Sequence, residues 1–249
     1  MDDDRTAAAR TSPVSTLPEV FNSFGAAFGD RPFVVAQLGL SLDGRIATVS
    51  GESRGLNGDA ALDHLHRIRA NVDAVVVGVG TIEADEPQLN VRRTRGRNPA
   101  RVVIDPSGRV GSTGKWLARD GAKLLLVSAG GRSPHGAELV RLPIEDGLIA
   151  PAEIVGALFQ RGLRRILIEG GAKTISAFID AGCVDRLHIL MAPVIIGSGK
   201  CGIDLAPIAR LDQALRPKTD IHVLAGGEVV FDCNLRETAE AAATPGETP

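Results

Sequence analysis

The strongest constraint on the fold is Ala74-Val75-Val76-Val77, an unbroken apolar run with three β-branched side chains. A strand with one wet face alternates apolar and polar residues. A run without alternation suits a strand covered on both faces, as in a parallel sheet with crossover helices. Further apolar runs read as strands at Phe33–Leu40, Ala100–Ile104, Lys123–Val127 and Arg165–Ile168. Helical spacing appears between them. Leu62, Leu65 and Ile68 mark a helix over Ala60–Ala70, with Asn57 or Asp59 as its cap and Arg67 and Arg69 in its last turn. Pro151 opens a second helix reaching about Gln160, and a third runs from Ala172 to about Ala181. This alternation implies an α/β fold with a mainly parallel central sheet flanked by helices. Val184–Met191 and Val194–Ile196 read as later strands. Asp220–Leu224 and Glu228–Asn234 flank Gly226-Gly227 and predict a C-terminal antiparallel hairpin. The expected organisation is a partly disordered tail over 1–30, one domain over 31–236 and a disordered tail over 237–249. Within the first tail, Phe21, Phe24 and Phe28 suggest a short helix in Pro18–Gly29.

Several function classes fit poorly. A net charge of −2 over 249 residues argues against a nucleic-acid surface as the main function. No apolar stretch approaches membrane-span length, and the acidic start MDDDRTAAAR lacks a signal-peptide core, so a cytoplasmic protein is expected. Cys183, Cys201 and Cys233 are isolated and read as reduced, small hydrophobes. His64 and His66 are two apart and face different directions on a helix, and no metal site is expected. P-loop, GxSxG, HExxH and zinc-deaminase patterns are absent. Without a resident nucleophile or metal, a bound cofactor is the expected carrier of the chemistry.

The candidate site residues lie beyond strand ends, where ligands bind in open α/β sheets. Thr81, Glu83, Asp85 and Glu86 follow the Ala74–Val77 run. Gly78-Val79-Gly80-Thr81 begins like a dinucleotide fingerprint, but the third glycine position is Glu83, so the Rossmann pattern fails. The two glycines equally suit tight backbone packing. Glu169-Gly170-Gly171 follows a strand and opens a helix. Free N–H groups there suit a phosphate, or the glycines simply make a tight turn. Glu169 would repel a phosphate and is expected to face hydroxyls or amines of a second ligand. Arg92 can bind an anion through a bidentate fork, whereas Arg95 and Arg97 read as a solvated loop. Asp43-Gly44 reads as a turn.

Taken together, SLDGRIA at Ser41–Ala47, GES at Gly51–Ser53, RANVDAVVVGVGTIEADEPQLNVR at Arg69–Arg92, NPARVVID at Asn98–Asp105, LIEGGAKT at Leu167–Thr174 and DRLHILMAPVIIGSG at Asp185–Gly199 resemble the riboflavin-biosynthesis pyrimidine reductases. The resemblance spans about Arg31 to Asn234 and matches the reductase half of bifunctional deaminase/reductases and stand-alone reductases. It implies a dihydrofolate-reductase-like fold, NADPH as hydride donor, and reduction of 5-amino-6-(5-phosphoribosylamino)uracil to its ribitylamino product. It implies cofactor contacts at Gly39, Thr81, Asp85, Gly170, Gly171, Ala172, Lys173 and Thr174, the contacting helix extending to Ala177. It implies substrate contacts at Ser53, Arg69, Leu89, Arg92 and Glu169, with Arg69 and Arg92 on the substrate phosphate. Glu169 and Asp85 are the candidate acids, and Arg132 is a candidate partner for a 2′-phosphate. Gly55 stands where the bifunctional enzymes often have Trp, and Gln37 where they commonly have Lys; both bear on substrate identity. A homodimer is expected, with Leu187–Ile196 as its interface. The alternatives are reduction of a pterin, dihydrofolate or another heterocycle, and a non-catalytic NADPH-binding protein.

Overall fold

The computed structural model describes residues 30–134 and 136–236. The expected tail over 1–30, except Asp30, the tail over 237–249 and the helix in Pro18–Gly29 lie outside the described residues. In chain order the strands and helices are β1 (Phe33–Ser41), β2 (Arg45–Thr48), α1 (Asp59–Asn71), β3 (Ala74–Gly78), α2 (Val79–Asp85), β4 (Ala100–Ile104), β5 (Leu124–Ser128), β6 (Glu138–Arg141), α3 (Pro151–Gln160), β7 (Arg165–Glu169), α4 (Ala172–Asp180), β8 (Arg186–Ala192), β9 (Gly199–Cys201), β10 (Lys218–Val223) and β11 (Val229–Asn234).

Nine strands form one sheet in the order β10-β11-β8-β1-β7-β3-β4-β5-β6. From β8 to β6 every neighbouring pair is parallel, and β11 and β10 close the β8 edge as an antiparallel hairpin. The apolar run of β3 is explained by its two partners. Ala74 and Val76 pack with α3 and α4, through Ile154, Leu158, Ile175 and Phe178. Val75 and Val77 pack on the opposite face with Ile68 of α1, Val79 and Ile82 of α2, and Trp116. The central strands β1, β7, β3, β4 and β5 therefore feed two cores, and the main sheet lies between two layers of helices.

The chain leaves β1, skips one position to β3, and adds β4, β5 and β6 outward. Helix α3 then returns it, so that β7 enters between β1 and β3, and α4 crosses to β8 on the far side of β1. The central position is filled late.

Four expectations change. Helix α1 is preceded by Gly58, with no side-chain cap, so neither Asn57 nor Asp59 caps it. β3 turns directly into α2, which the sequence reading missed. Val194–Ile196 is not a strand; the next strand is β9, which pairs with β2 in a separate two-stranded sheet. Edge strand β6 was also missed. Among the described residues no helix is long and apolar enough to cross a membrane.

Candidate active site

The carboxyl ends of β1, β7 and β3 lie side by side, because Gln37 pairs with Glu169 and Ala74–Val76 with Ile166–Ile168. Two helices start there, and their first turns interlock. Gly171 N–H donates to Thr81 Oγ1 at 3.2 Å. Gly170 has φ +109°, and a Cβ on it would sit 2.6 Å from Thr81 Oγ1. A Cβ on Gly78 would sit 2.6 Å from Thr174 Oγ1. Thr81, Gly170, Gly171 and Thr174 thus meet at one place. The first turn of α4 has no side-chain cap and no acidic residue. The backbone N–H groups of Ala172 and Lys173 at that turn are suited to an anion.

On the α1 side of the same strand end, Arg69 and Glu169 pair almost completely buried, with side-chain exposures of 6% and 8%. Arg69 Nε and Nη2 donate to the two Glu169 carboxylate oxygens, each at 2.6 Å. Arg69 Nη1 donates to the Asn90 carbonyl at 3.1 Å. Glu169 therefore faces a guanidinium, and most of Arg69's donors are engaged. Arg92 is exposed beside this pair and donates from Nη1 to Asn90 Oδ1. Partial burial, then the neighbouring Arg69 and Arg93, pulls the Arg92 guanidinium below its usual pKa. Arg93 itself is taken up by Asp59 and Asp63. The backbone N–H of Arg92 donates to buried His66 Nδ1 at 3.2 Å. Burial, then Arg69 and Arg92, lowers His66 to about 4, so it stays neutral and can accept. Leu89 is buried with φ +54°, a conformation costly for a residue with a side chain.

The remaining candidates sit further out. Asp85 is exposed at the last residue of α2, Ser53 lies in the β2–α1 loop, and Arg132 is exposed after β5. Gly39 is overlaid by the side chain of Asn57, which occupies the place of a Cβ. Asp43 is a clamp: Ser41 Oγ and the N–H groups of Ile196 and Gly197 donate to it, and these bonds hold it at about 2. Cys201 is exposed beside Arg45, unlike the buried hydrophobe expected. Residues missed as site partners are Asn90, which lies within the Arg69–Arg92 motif, and His66, Asn57 and Glu228, which lie outside the quoted motifs.

The description "RibD C-terminal domain" matches residues 32–225. The 2,5-diamino-6-ribosylamino-4(3H)-pyrimidinone 5′-phosphate reductase of Methanothermobacter thermautotrophicus is 31% identical over 217 residues, 83% of this chain and 99% of that one. The riboflavin biosynthesis protein RibD of Bacillus amyloliquefaciens is 30% identical over 173 residues, 67% of this chain but 47% of that one. This chain thus spans about half the length of the Bacillus relative and nearly all of the archaeal one. A Thermotoga maritima diaminohydroxyphosphoribosylaminopyrimidine deaminase/5-amino-6-(5-phosphoribosylamino)uracil reductase superposes with a TM-score of 0.71 at 26% identity, covering 87% of this chain and 60% of that one. With the family description matched over most of its length, and with this sheet order, the chain belongs to the RibD C-terminal domain family.

Proposed function

We propose that residues 31–236 form an NADPH-dependent reductase that converts 5-amino-6-(5-phosphoribosylamino)uracil to 5-amino-6-(5-phosphoribitylamino)uracil in riboflavin biosynthesis. The observation that carries this reading is the division of labour at the end of β7. An anion-ready helix start lies on one side of Glu169, and exposed Arg92, beside the buried Arg69–Glu169 pair, on the other.

The residues fit the cofactor. Gly170 and Gly171 leave bare backbone where a pyrophosphate can approach, and the first turn of α4, Ala172, Lys173 and Thr174, supplies N–H groups to it. Thr81 holds that turn in place through Gly171. Asp85 and Gly39 complete the assigned contacts. When bound, NADPH supplies a hydride to the carbonyl or imine carbon of the opened ribose. The chain orients the acceptor through Ser53, Leu89 and Arg92. With Arg69 committed to Glu169, Arg92 carries the main phosphate contact and Arg69 holds the carboxylate in position. Of the two candidate carboxyl groups for the accompanying proton, Glu169 has both oxygens held by Arg69 and Asp85 is exposed.

A second substrate reading rests on the archaeal relative matched over nearly its whole length. That protein is named for the 2,5-diamino pyrimidinone, which bears an amine where the uracil compound bears an oxygen. Absorbance of NADPH followed with each compound, and with dihydrofolate, separates the readings. Oxidation with a phosphoribosylamino compound and none with dihydrofolate is expected; the reverse overturns the proposal. Arg92→Ala should raise the substrate KM at least about tenfold, the size of one charge-assisted contact, and leave NADPH affinity within about twofold. A variant that loses NADPH and keeps its substrate KM refutes the assignment.

We also assign a homodimer. Leu187 and Leu190 are buried within the chain, so the expected interface narrows to Val194 and Ile195, which are exposed.

A further inference from the structure

The space above Gly39 is filled by Asn57, and the orientation of Asn57 is set from the other end of the chain. Glu228, in the turn between β10 and β11, is only 3% exposed. Its Oε1 accepts the Gly58 N–H at 2.8 Å and lies 3.4 Å from Asn57 Nδ2. It thereby supplies the cap that α1 lacks. The oxygen that accepts the Gly58 N–H also draws the NH₂ end of the Asn57 amide towards itself. The carbonyl end then points at Gly39, where Asn57 Oδ1 stands in the position a Cβ would take. This explains the glycine at position 39: any side chain there displaces the amide.

The placement matters because β1 is the neighbour of β7. Gln37 is level with Glu169, and Gly39 lies two residues further along. Gly39 is therefore one strand spacing, about 4.8 Å, to the side of the Gly170-Gly171 turn. With the cofactor contact that the family resemblance implies at Gly39, a dinucleotide anchored at that turn would extend over β1 and meet Asn57 with its nicotinamide end. The half-buried amide remains within reach of a ligand.

We propose that Asn57 is a specificity-determining residue of the cofactor pocket. Its Oδ1 accepts an N–H of the nicotinamide carboxamide, and Glu228 is the positioning residue that fixes the amide the right way round. This inference rests on the NADPH reading above.

The test is calorimetric binding without substrate, using NADP⁺, its 3-acetylpyridine analogue and 2′-phospho-ADP-ribose. The analogue replaces the carboxamide NH₂ by a methyl group, and the third ligand lacks the nicotinamide altogether. The native protein should prefer NADP⁺ over the analogue by about five- to tenfold, the worth of one hydrogen bond. Asn57→Ala should reduce that preference to about one and leave 2′-phospho-ADP-ribose binding within about twofold. Gly39→Ala, which pushes the amide aside, should do the same. The double variant should lose nothing further in preference, since both changes remove one contact. An unchanged preference in Asn57→Ala overturns the proposal, as does an equal loss of all three ligands. If the native protein binds none of the three, the NADPH reading itself falls. Thermal melting of each variant identifies any that fails to fold. In that event, Asn57→Ser provides the same comparison with a smaller disturbance, and an unchanged preference there is equally fatal.

Discussion

At the scale of residues, the decisive contact is the Arg69–Glu169 pair. Removing one partner from a buried ion pair leaves an uncompensated charge, at a cost of about 3–5 kcal/mol. Arg69→Ala should therefore lose that much in urea denaturation. Arg69→Met with Glu169→Leu should recover most of the stability and none of the activity. Full stability in Arg69→Ala alone would show that the pair is solvated. Two buried histidines of α1 make a second prediction. Burial, then the neighbouring His188, lowers His64 to about 3, and burial with Arg69 lowers His66 to about 4. Both are neutral in the fold, while the unfolded chain takes up their protons near pH 6.5. The unfolded state thus binds more protons below that pH, and stability falls as pH drops from about 6.5 towards 4. The urea midpoint of the native protein minus that of His66→Gln, measured from pH 7.5 to 4.5, should shrink on acidification. A constant difference would show that His66 titrates alike in the folded and unfolded chain. Neither pairing is visible in the sequence: Arg69 and Glu169 are 100 positions apart, and Asn57 and Glu228 171 apart.

At the scale of elements, legibility followed length and period. The strands buried on both faces, α1, α3, α4 and the terminal hairpin were readable because apolar spacing marks them. Helix α2 was not. Its seven residues, VGTIEAD, include a glycine, and what holds them is Val79 and Ile82 packing into the sheet core. Val194–Ile196 misled in the opposite direction. Its β-branched residues suit a strand, yet the N–H groups of Ile196 and Gly197 are claimed by Asp43 instead of a neighbouring strand. β6 has four residues, ELVR, with both ends exposed, too little pattern to register. The α2–α4 interlock gives the prediction at this scale. Gly170→Ala forces a side chain into φ +109° and against Thr81, which should cost about 1–3 kcal/mol and weaken NADP⁺ binding. Thr81→Ala in the same chain should relieve the contact but not the backbone strain, so recovery in the melting temperature should be partial. Complete recovery would assign the whole cost to Thr81.

At the scale of the molecule, the exposed Val194 and Ile195 belong to the segment that follows β8. Sedimentation velocity should show a dimer at micromolar concentration and a monomer for Ile195→Asp; a native monomer would refute the assembly assigned above. The position of β7 has a consequence of another kind. The strand that joins β1 to β3 is made from residues 165–169, synthesised after every strand from β1 to β6. Until it arrives, β1 and the β3–β6 block have no common partner, and both present open edges of the kind that recruit other chains. Closing the centre of the sheet also joins segments more than 100 residues apart, a slow event in chains dominated by distant contacts. In refolding followed by pulsed hydrogen exchange, the β1 and β7 amides should become protected together and late. Until then those edges stay open, and the candidate site, built on the end of that same strand, is assembled only once β7 has joined β1 and β3.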